Sequence, residues 1–156
     1  MNNAALINRN GKIWEVDAQE FDNVIDTNVK GIANIMRHFI PLMISKKQGI
    51  IINMSSISGR TAHALVFIYL FIYLFIYLLL LLVFEWMMVF IWFGSILKCS
   101  PYCASKWAVE GVSKAVAKEV PEGVAIVSLD PGIIYTDMLV SCLGHFAPQY
   151  QSPQHW

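Results

Sequence analysis

From Leu65 to Phe84 the chain runs twenty residues without a charge, and after Glu85 it is apolar again as far as Leu97. A stretch of that length and hydropathy qualifies as a membrane-spanning helix. Its text is of low complexity, with Phe-Ile-Tyr-Leu repeated, and its aromatic residues occur throughout rather than in two interfacial belts. Whatever the remaining residues fold into has to accommodate this stretch or exclude it.

The chain on either side reads as one α/β unit. Asp17 followed by Glu20 has the spacing of a capping box. From Phe21 to Phe39 apolar residues recur at three- and four-residue steps, which predicts one amphipathic helix with a broad packing face. Lys46-Lys47-Gln48-Gly49 closes it, with Gly49 at the stop. Ile50-Ile51-Ile52-Asn53-Met54 lacks polar alternation and predicts a strand buried on both faces. Ser55 to Gly59 then forms a loop at the strand's C-terminal end, the edge where open α/β sheets bind ligands.

Beyond the apolar stretch, Pro101 starts a second helix through about Val120, with Ala104, Trp107, Ala108, Gly111, Val112, Ala115 and Val116 on its packing side. Residues 124–129 form a second buried strand, which Asp130-Pro131-Gly132 ends. Helix, strand, loop, helix, strand, loop is the order of a parallel α/β fold.

Eleven basic and eleven acidic residues cancel, so nothing points to a nucleic-acid partner. Cys99, Cys103 and Cys142 are odd in number and show no metal-type spacing, which reads as free thiols in a reducing compartment. The first twelve residues have the pattern of neither a signal nor a transit peptide, so the expected location is the cytosol.

Tyr102 and Lys106 stand four residues apart on a helix and so share a face. A cation near a phenol stabilises phenolate and brings its pKa towards neutral. Alone, this pair is more often a solvated lysine beside a packed ring. The neighbours raise its meaning: Asn2-Asn3-Ala4 opens the chain, Asn28-Val29-Lys30-Gly31 lies on the first helix, and Asn53-Met54-Ser55-Ser56 ends the first strand. Pro131-Gly132-Ile133-Ile134-Tyr135-Thr136 follows the second strand.

In this order the motifs resemble the short-chain dehydrogenase/reductase family. The resemblance implies a partial Rossmann-type parallel sheet with flanking helices, formed by residues 1–65 and 99–156. It also implies NADPH-dependent or NADH-dependent reduction of a small aldehyde or ketone. Mapped on the family tetrad, Tyr102 is the general acid, Ser56 hydrogen-bonds the carbonyl oxygen, Lys106 lowers the Tyr102 pKa and holds the nicotinamide ribose, and Asn28 supports a water relay to Lys106. Asn3, Pro131, Gly132, Ile134 and Thr136 fall at cofactor-side positions. Ala5 stands where the pattern expects glycine. The wording of residues 26–31, 38–43 and 101–111 is similar to that of the plant NADPH-dependent pterin aldehyde reductases, and the resemblance extends to a homodimer built through the helices around 18–44 and 101–120.

The chain departs from the family pattern in three places. It holds no glycine-rich phosphate turn ahead of Asn2-Asn3-Ala4. Residues 138–156 are expected to begin a mobile substrate loop. The third departure is spacing: Ser56 and Tyr102 must meet at one carbonyl oxygen, and the family's usual separation is about thirteen positions. Here it is 46, and removing the 33 residues 66–98 leaves 13. Valine and lysine codons at the two ends can carry intron boundaries, and uridine-rich RNA encodes Phe, Ile, Tyr and Leu. Residues 66–98 are therefore expected to be a retained intron or an annotation error. The alternatives are a membrane-anchored protein, spanning through residues 65–97, and a non-catalytic family fragment.

Overall fold

The computed structural model describes residues 1–60 and 99–155. The apolar insert expected at 66–98 lies outside the described residues. Among the described residues, no helix is long and apolar enough to cross a membrane.

Helix α1 (Ala18–Ile25) leads through a five-residue π-helical turn (Asp26–Lys30) into α2 (Gly31–Lys46). Asp17 caps α1 as expected, its side chain accepting from the Gln19 amide. The second half of the capping box does not form. Glu20 instead accepts from the Arg9 amide at 2.6 Å, tying the N-terminal segment to the helix. The single helix expected over this region is thus broken by one π turn, a feature frequent at functional sites. Lys47, not Gly49, ends α2: its backbone takes the left-handed conformation (φ 53°).

Strand β1 (Gly49–Met54) pairs in parallel with β2 (Val124–Leu129), Gly49 opposite Val124 through Met54 opposite Leu129. Asn2 adds a short parallel bridge on β1: its amide donates to the Ile52 carbonyl and its carbonyl accepts from Met54. Helix α3 (Ser100–Val116) crosses between the strands, and α4 (Asp137–Leu143) follows β2. Residues 138–156, expected to begin a mobile loop, include α4 and the short 3-10 turns Gly144–Gln149 and Pro153–His155.

Ile32, Met36, Ile51, Val109, Val124 and Ile126 form the core between α2, α3 and one sheet face. Two expectations about burial fail. The strands are not buried on both sides: Ile50 is 67% and Val127 45% exposed, because the pleat sends alternate residues to a face that no described helix covers. The α1–α2 face is also narrower than the periodicity suggested, with Val24, Asn28, Ile32 and Met36 buried but Ile35 and Phe39 exposed.

Helix α3 departs further. Its inward residues are Pro101, Ser105, Lys106, Val109, Glu110 and Ser113, whereas Trp107, expected to pack, is 49% exposed. Each buried polar group on this face has a partner in another element. Ser105 meets Asn28, Ser113 receives the Asn53 amide at 2.9 Å, and Ser128 donates to Glu110 at 2.8 Å. Such partners remove most of the cost of burying polar groups.

Candidate active site

The C-terminal ends of β1 and β2 open onto a cleft of about 450 Å³, within the size range of small-ligand sites. The Ser55 amide donates to the Leu129 carbonyl at 2.7 Å and extends the sheet by one bond past β1. Ser56 then adopts an extended conformation, and its hydroxyl accepts from the Ser58 amide at the start of a 3-10 turn, Ile57–Gly59. This turn packs on α3 at very close range. A Cβ on Gly59 would stand 2.7 Å from the Lys106 carbonyl oxygen, so only glycine allows the approach.

Tyr102 and Lys106 lie on the first turns of α3, where Pro101 suits the helix start. Tyr102 and Ser56 line the same cleft. Burial pushes the phenol up to about 12, and the nearby Ser56 hydroxyl offsets part of this. The lowering expected from Lys106 is not what acts on Tyr102. The ammonium lies 5.5 Å from the ring centroid and donates to the Met54 carbonyl at 2.8 Å. Burial brings Lys106 itself down to about 8, against the pull of Asp130. Tyr102 is therefore held as a neutral phenol, the form that can give up a proton.

The other expected residues divide into two groups. Asn3, Pro131, Gly132, Ile134 and Thr136 line the same cleft as Ser56, Tyr102 and Lys106. Gly132 takes a positive φ of 77°, its amide donating to the Asp130 carboxylate at 3.0 Å. Thr136 caps α4 by accepting from the Leu139 amide. Asn28 is not among the cleft-lining residues. It sits in the π turn, 1% exposed, and its side chain accepts from the Leu6 amide and donates to the Leu6 carbonyl and to Ser105 Oγ.

Sequence reasoning missed the side of the cleft built by Cys99, Met138, Leu139, Cys142 and Leu143. No motif marks it; the only signal was the amphipathic pattern after Thr136. It also missed Glu110, one helical turn beyond Lys106. The Glu110 carboxylate gathers Ser128, Arg60 and Lys114 around it. The Ser55 hydroxyl lies beside the same carboxylate without a hydrogen bond of good geometry.

The model of the short chain dehydrogenase family matches residues 1–70 and 94–143. The chain belongs to the short chain dehydrogenase family. Residues 71–93 stand outside both matched stretches. Among curated relatives, the NADPH-dependent pterin aldehyde reductase of Arabidopsis thaliana is 51% identical over 156 residues, all of this chain and 51% of that protein. The 3-oxoacyl-[acyl-carrier-protein] reductase FabG of Staphylococcus aureus is 29% identical over 137 residues, 87% of this chain and 42% of the relative. The chain spans about half the length of the curated relatives it matches.

Solved structures share the fold. A short chain dehydrogenase of Shigella flexneri complexed with NADP superposes with a TM-score of 0.70 at 20% identity, over 97% of this chain and 50% of that one. One from Escherichia coli complexed with NADPH gives 0.71 at 21% identity, over 98% and 50%.

Proposed function

We propose that this short chain dehydrogenase reduces the carbonyl of a small aldehyde, of the pterin aldehyde kind, to an alcohol with NADPH. The observation that carries the reading is that Ser56, Tyr102 and Lys106 line one cleft at the C-terminal ends of the two strands. Two hydroxyls that line one cleft can both reach one carbonyl oxygen. That is the donor arrangement a developing alkoxide requires.

The residues present fit the nicotinamide-ribose end of the cofactor. Lys106 is a buried cation at the cleft, Asn3 brings an amide, and the Gly132 backbone turns beside them with open space where a Cβ would stand. NADPH, when bound, supplies the hydride. Ser56 donates to the carbonyl oxygen and orients it. Tyr102 gives its proton to that oxygen as charge develops there. Lys106, whose ammonium lies 5.5 Å from the Tyr102 ring centroid, in this reading holds the ribose. Pro131, Ile134 and Thr136 border the ring. Asn28 acts as a positioning residue through Ser105, and in the same reading supports a water relay towards Lys106. NADH in place of NADPH is distinguished by the assay below.

The preference for a pterin aldehyde and for NADPH rests on the Arabidopsis relative. The same reading places the protein in the cytosol and pairs two copies through α2 and α3, whose Phe39, Leu42 and Trp107 are exposed. It treats residues 66–98 as foreign to the fold. The family match passes over 71–93, and residues 61–65 are left to join Arg60 to Cys99, both of which lie beside α3. With residues 66–98 present, turnover is expected to be impaired.

The test assays NADPH and NADH oxidation with a pterin aldehyde in the chain lacking residues 66–98, joined to the cofactor unit encoded at its own locus, beside the uncut chain. Turnover that disappears in Tyr102→Phe while cofactor binding persists is the expected result. A folded, NADPH-binding protein without turnover on aldehydes would overturn the reading. Abundant, correctly spliced transcripts that still encode residues 66–98 would overturn the insert's proposed origin.

A further inference from the structure

Three pieces of chain bring the expected site residues to the cleft: the turn after β1 that holds Ser56, the 131–136 loop after β2, and the start of α3 with Tyr102 and Lys106. Glu110 stands behind them, one helical turn beyond Lys106 and 4% exposed, and is not among the cleft-lining residues. Nothing in the reductase reading uses this buried carboxylate.

Its two oxygens hold different pieces. Oε1 accepts from Arg60 Nε at 3.4 Å, and Arg60 is the C-terminal cap of the Ile57–Gly59 turn. Oε2 accepts from Ser128 Oγ at 2.8 Å, next to the last residue of β2. Lys114 Nζ, one turn further along α3, lies 3.3 Å from the same oxygen. The carboxylate is therefore inside, while the Arg60 and Lys114 side chains reach it from the surface, 53% and 70% exposed. An ionised group buried in this way is tolerated when both oxygens are matched.

We propose that Glu110 is a positioning residue of this active site: through Arg60 and Ser128 it fixes the Ser56 turn and the 131–136 loop against the helix that carries Tyr102 and Lys106. The inference rests on the reductase reading for what the positioned groups do. The tie itself rests on the bonds above.

The Ser56 turn is the piece for which such a tie matters most. The Gly59 amide donates to the Ser56 carbonyl at 2.8 Å, the Arg60 amide to the Ile57 carbonyl at 3.0 Å and the Ser58 amide to Ser56 Oγ at 3.3 Å. These bonds run within the turn, so they set its shape and not its place on α3. The contact of Gly59 with the Lys106 carbonyl sets how near the turn can come. The Arg60–Glu110 pair draws it in to that limit. A misplacement of about 1 Å at reacting groups can cost about 100-fold in rate, so a modest tie at this point has leverage on turnover.

Hydrogen exchange in the full chain tests the tie without requiring turnover. Arg60→Ala changes a half-exposed side chain and leaves Glu110 its bonds with Ser128 and Lys114. The Gly59 amide should then exchange about fivefold faster, the upper end for an exposed ion pair. The strand amides of Ile51 and Val127 should exchange as in the wild type. Arg60→Ala made in a Glu110→Gln background should leave Gly59 exchange unchanged, because the pair is already gone. Arg60→Lys, which keeps the cation, should recover part of the protection. In the chain assayed for aldehyde reduction, Arg60→Ala should lower kcat about tenfold and leave the KM for NADPH within about twofold, since the loss falls on the transition state.

Unchanged Gly59 exchange in Arg60→Ala would overturn the proposal. So would equal acceleration at Gly59, Ile51 and Val127, which would make the pair a general contribution to stability. Full kcat in Arg60→Ala overturns this proposal and leaves the reductase reading standing. Absence of turnover in the unsubstituted protein overturns the reductase reading, and the exchange map still decides whether Glu110 holds the Ser56 turn.

Discussion

The Asn28 side-chain amide donates to Ser105 Oγ at 2.9 Å, joining the π turn between α1 and α2 to the middle of the Tyr102–Lys106 segment. Both residues are buried, and Ser105 in turn donates to the Tyr102 carbonyl at 2.7 Å. With the two bonds to the Leu6 backbone, Asn28 holds three pieces of chain in one place. Asn28→Ala removes the buried bond to Ser105 Oγ and two part-buried bonds to the Leu6 backbone. Loss of about 2 kcal/mol of stability is expected, since unsatisfied buried groups cost about 1–3 kcal/mol. Urea unfolding measures it; a midpoint unchanged from wild type would show that Asn28 is not a structural tie.

Gly59 sets how closely the Ser56 turn approaches α3. In Gly59→Ala the new methyl meets the Lys106 carbonyl carbon and oxygen at 2.9 and 2.7 Å, and neither backbone atom can rotate away. The turn must lift, at an expected cost of about 2 kcal/mol, typical of overpacking. The Ser56 hydroxyl should move away from Tyr102 with it, and the phenol should rise further. Thermal unfolding and the Tyr102 absorbance titration read the two effects; a phenol titrating as in the wild type would show that the turn absorbs the methyl without moving Ser56.

Glu110 ties β2 and Arg60 to α3. Burial alone would raise its carboxyl, but the nearby Ser55 hydroxyl, the hydrogen bond from Ser128 and the ion pair with Lys114 outweigh that and hold it at about 2. A carboxylate depressed in this way contributes its full stability above the ordinary value near 4.3. That contribution is lost as pH falls from there through about 2. Glu110→Gln should be less stable at neutral pH and should lose less stability than wild type on acidification from pH 5 to 2. Parallel curves for the two proteins would contradict the assignment.

Lys106 gives the opposite slope at high pH. Its folded value of about 8 lies below the unfolded value near 10.4, so between these limits the unfolded chain binds more protons. Stability from this group therefore rises with pH across that window. Lys106→Met removes the titration and should flatten the rise between pH 8 and 10. Denaturant midpoints collected across that range check it, and an equally steep rise in the variant would assign the effect elsewhere.

The two strands and their parallel order were legible because β-branched runs bounded by glycine and proline carry their own local signal. Strand β2 begins and ends where the residue pattern placed it, at 124–129, and β1 begins at Gly49, one residue before the expected 50–54. Residues at the strand ends and helix start, including Ser56, Tyr102, Lys106 and the 131–136 loop, were legible as an ordered set of motifs, and the fold brings them to one cleft. The face of α3 that turns inward was not legible. Hydrophobic periodicity favours the side of Trp107, whereas the buried side carries Ser105, Lys106, Glu110 and Ser113.

The reason is the range of the interactions. Helix and strand propensity, capping and periodicity act over a few residues, so the sequence alone determines which segments form elements and in what order. Burial of a polar side chain depends on a partner brought by tertiary folding, and Asn28 and Ser105 are 77 positions apart. The partners of Asn28, the approach of Gly59 and the meeting of Cys99 and Cys142 in one cleft were therefore decided only by the tertiary structure, where a hydrogen bond or a backbone contact outweighs the local preference.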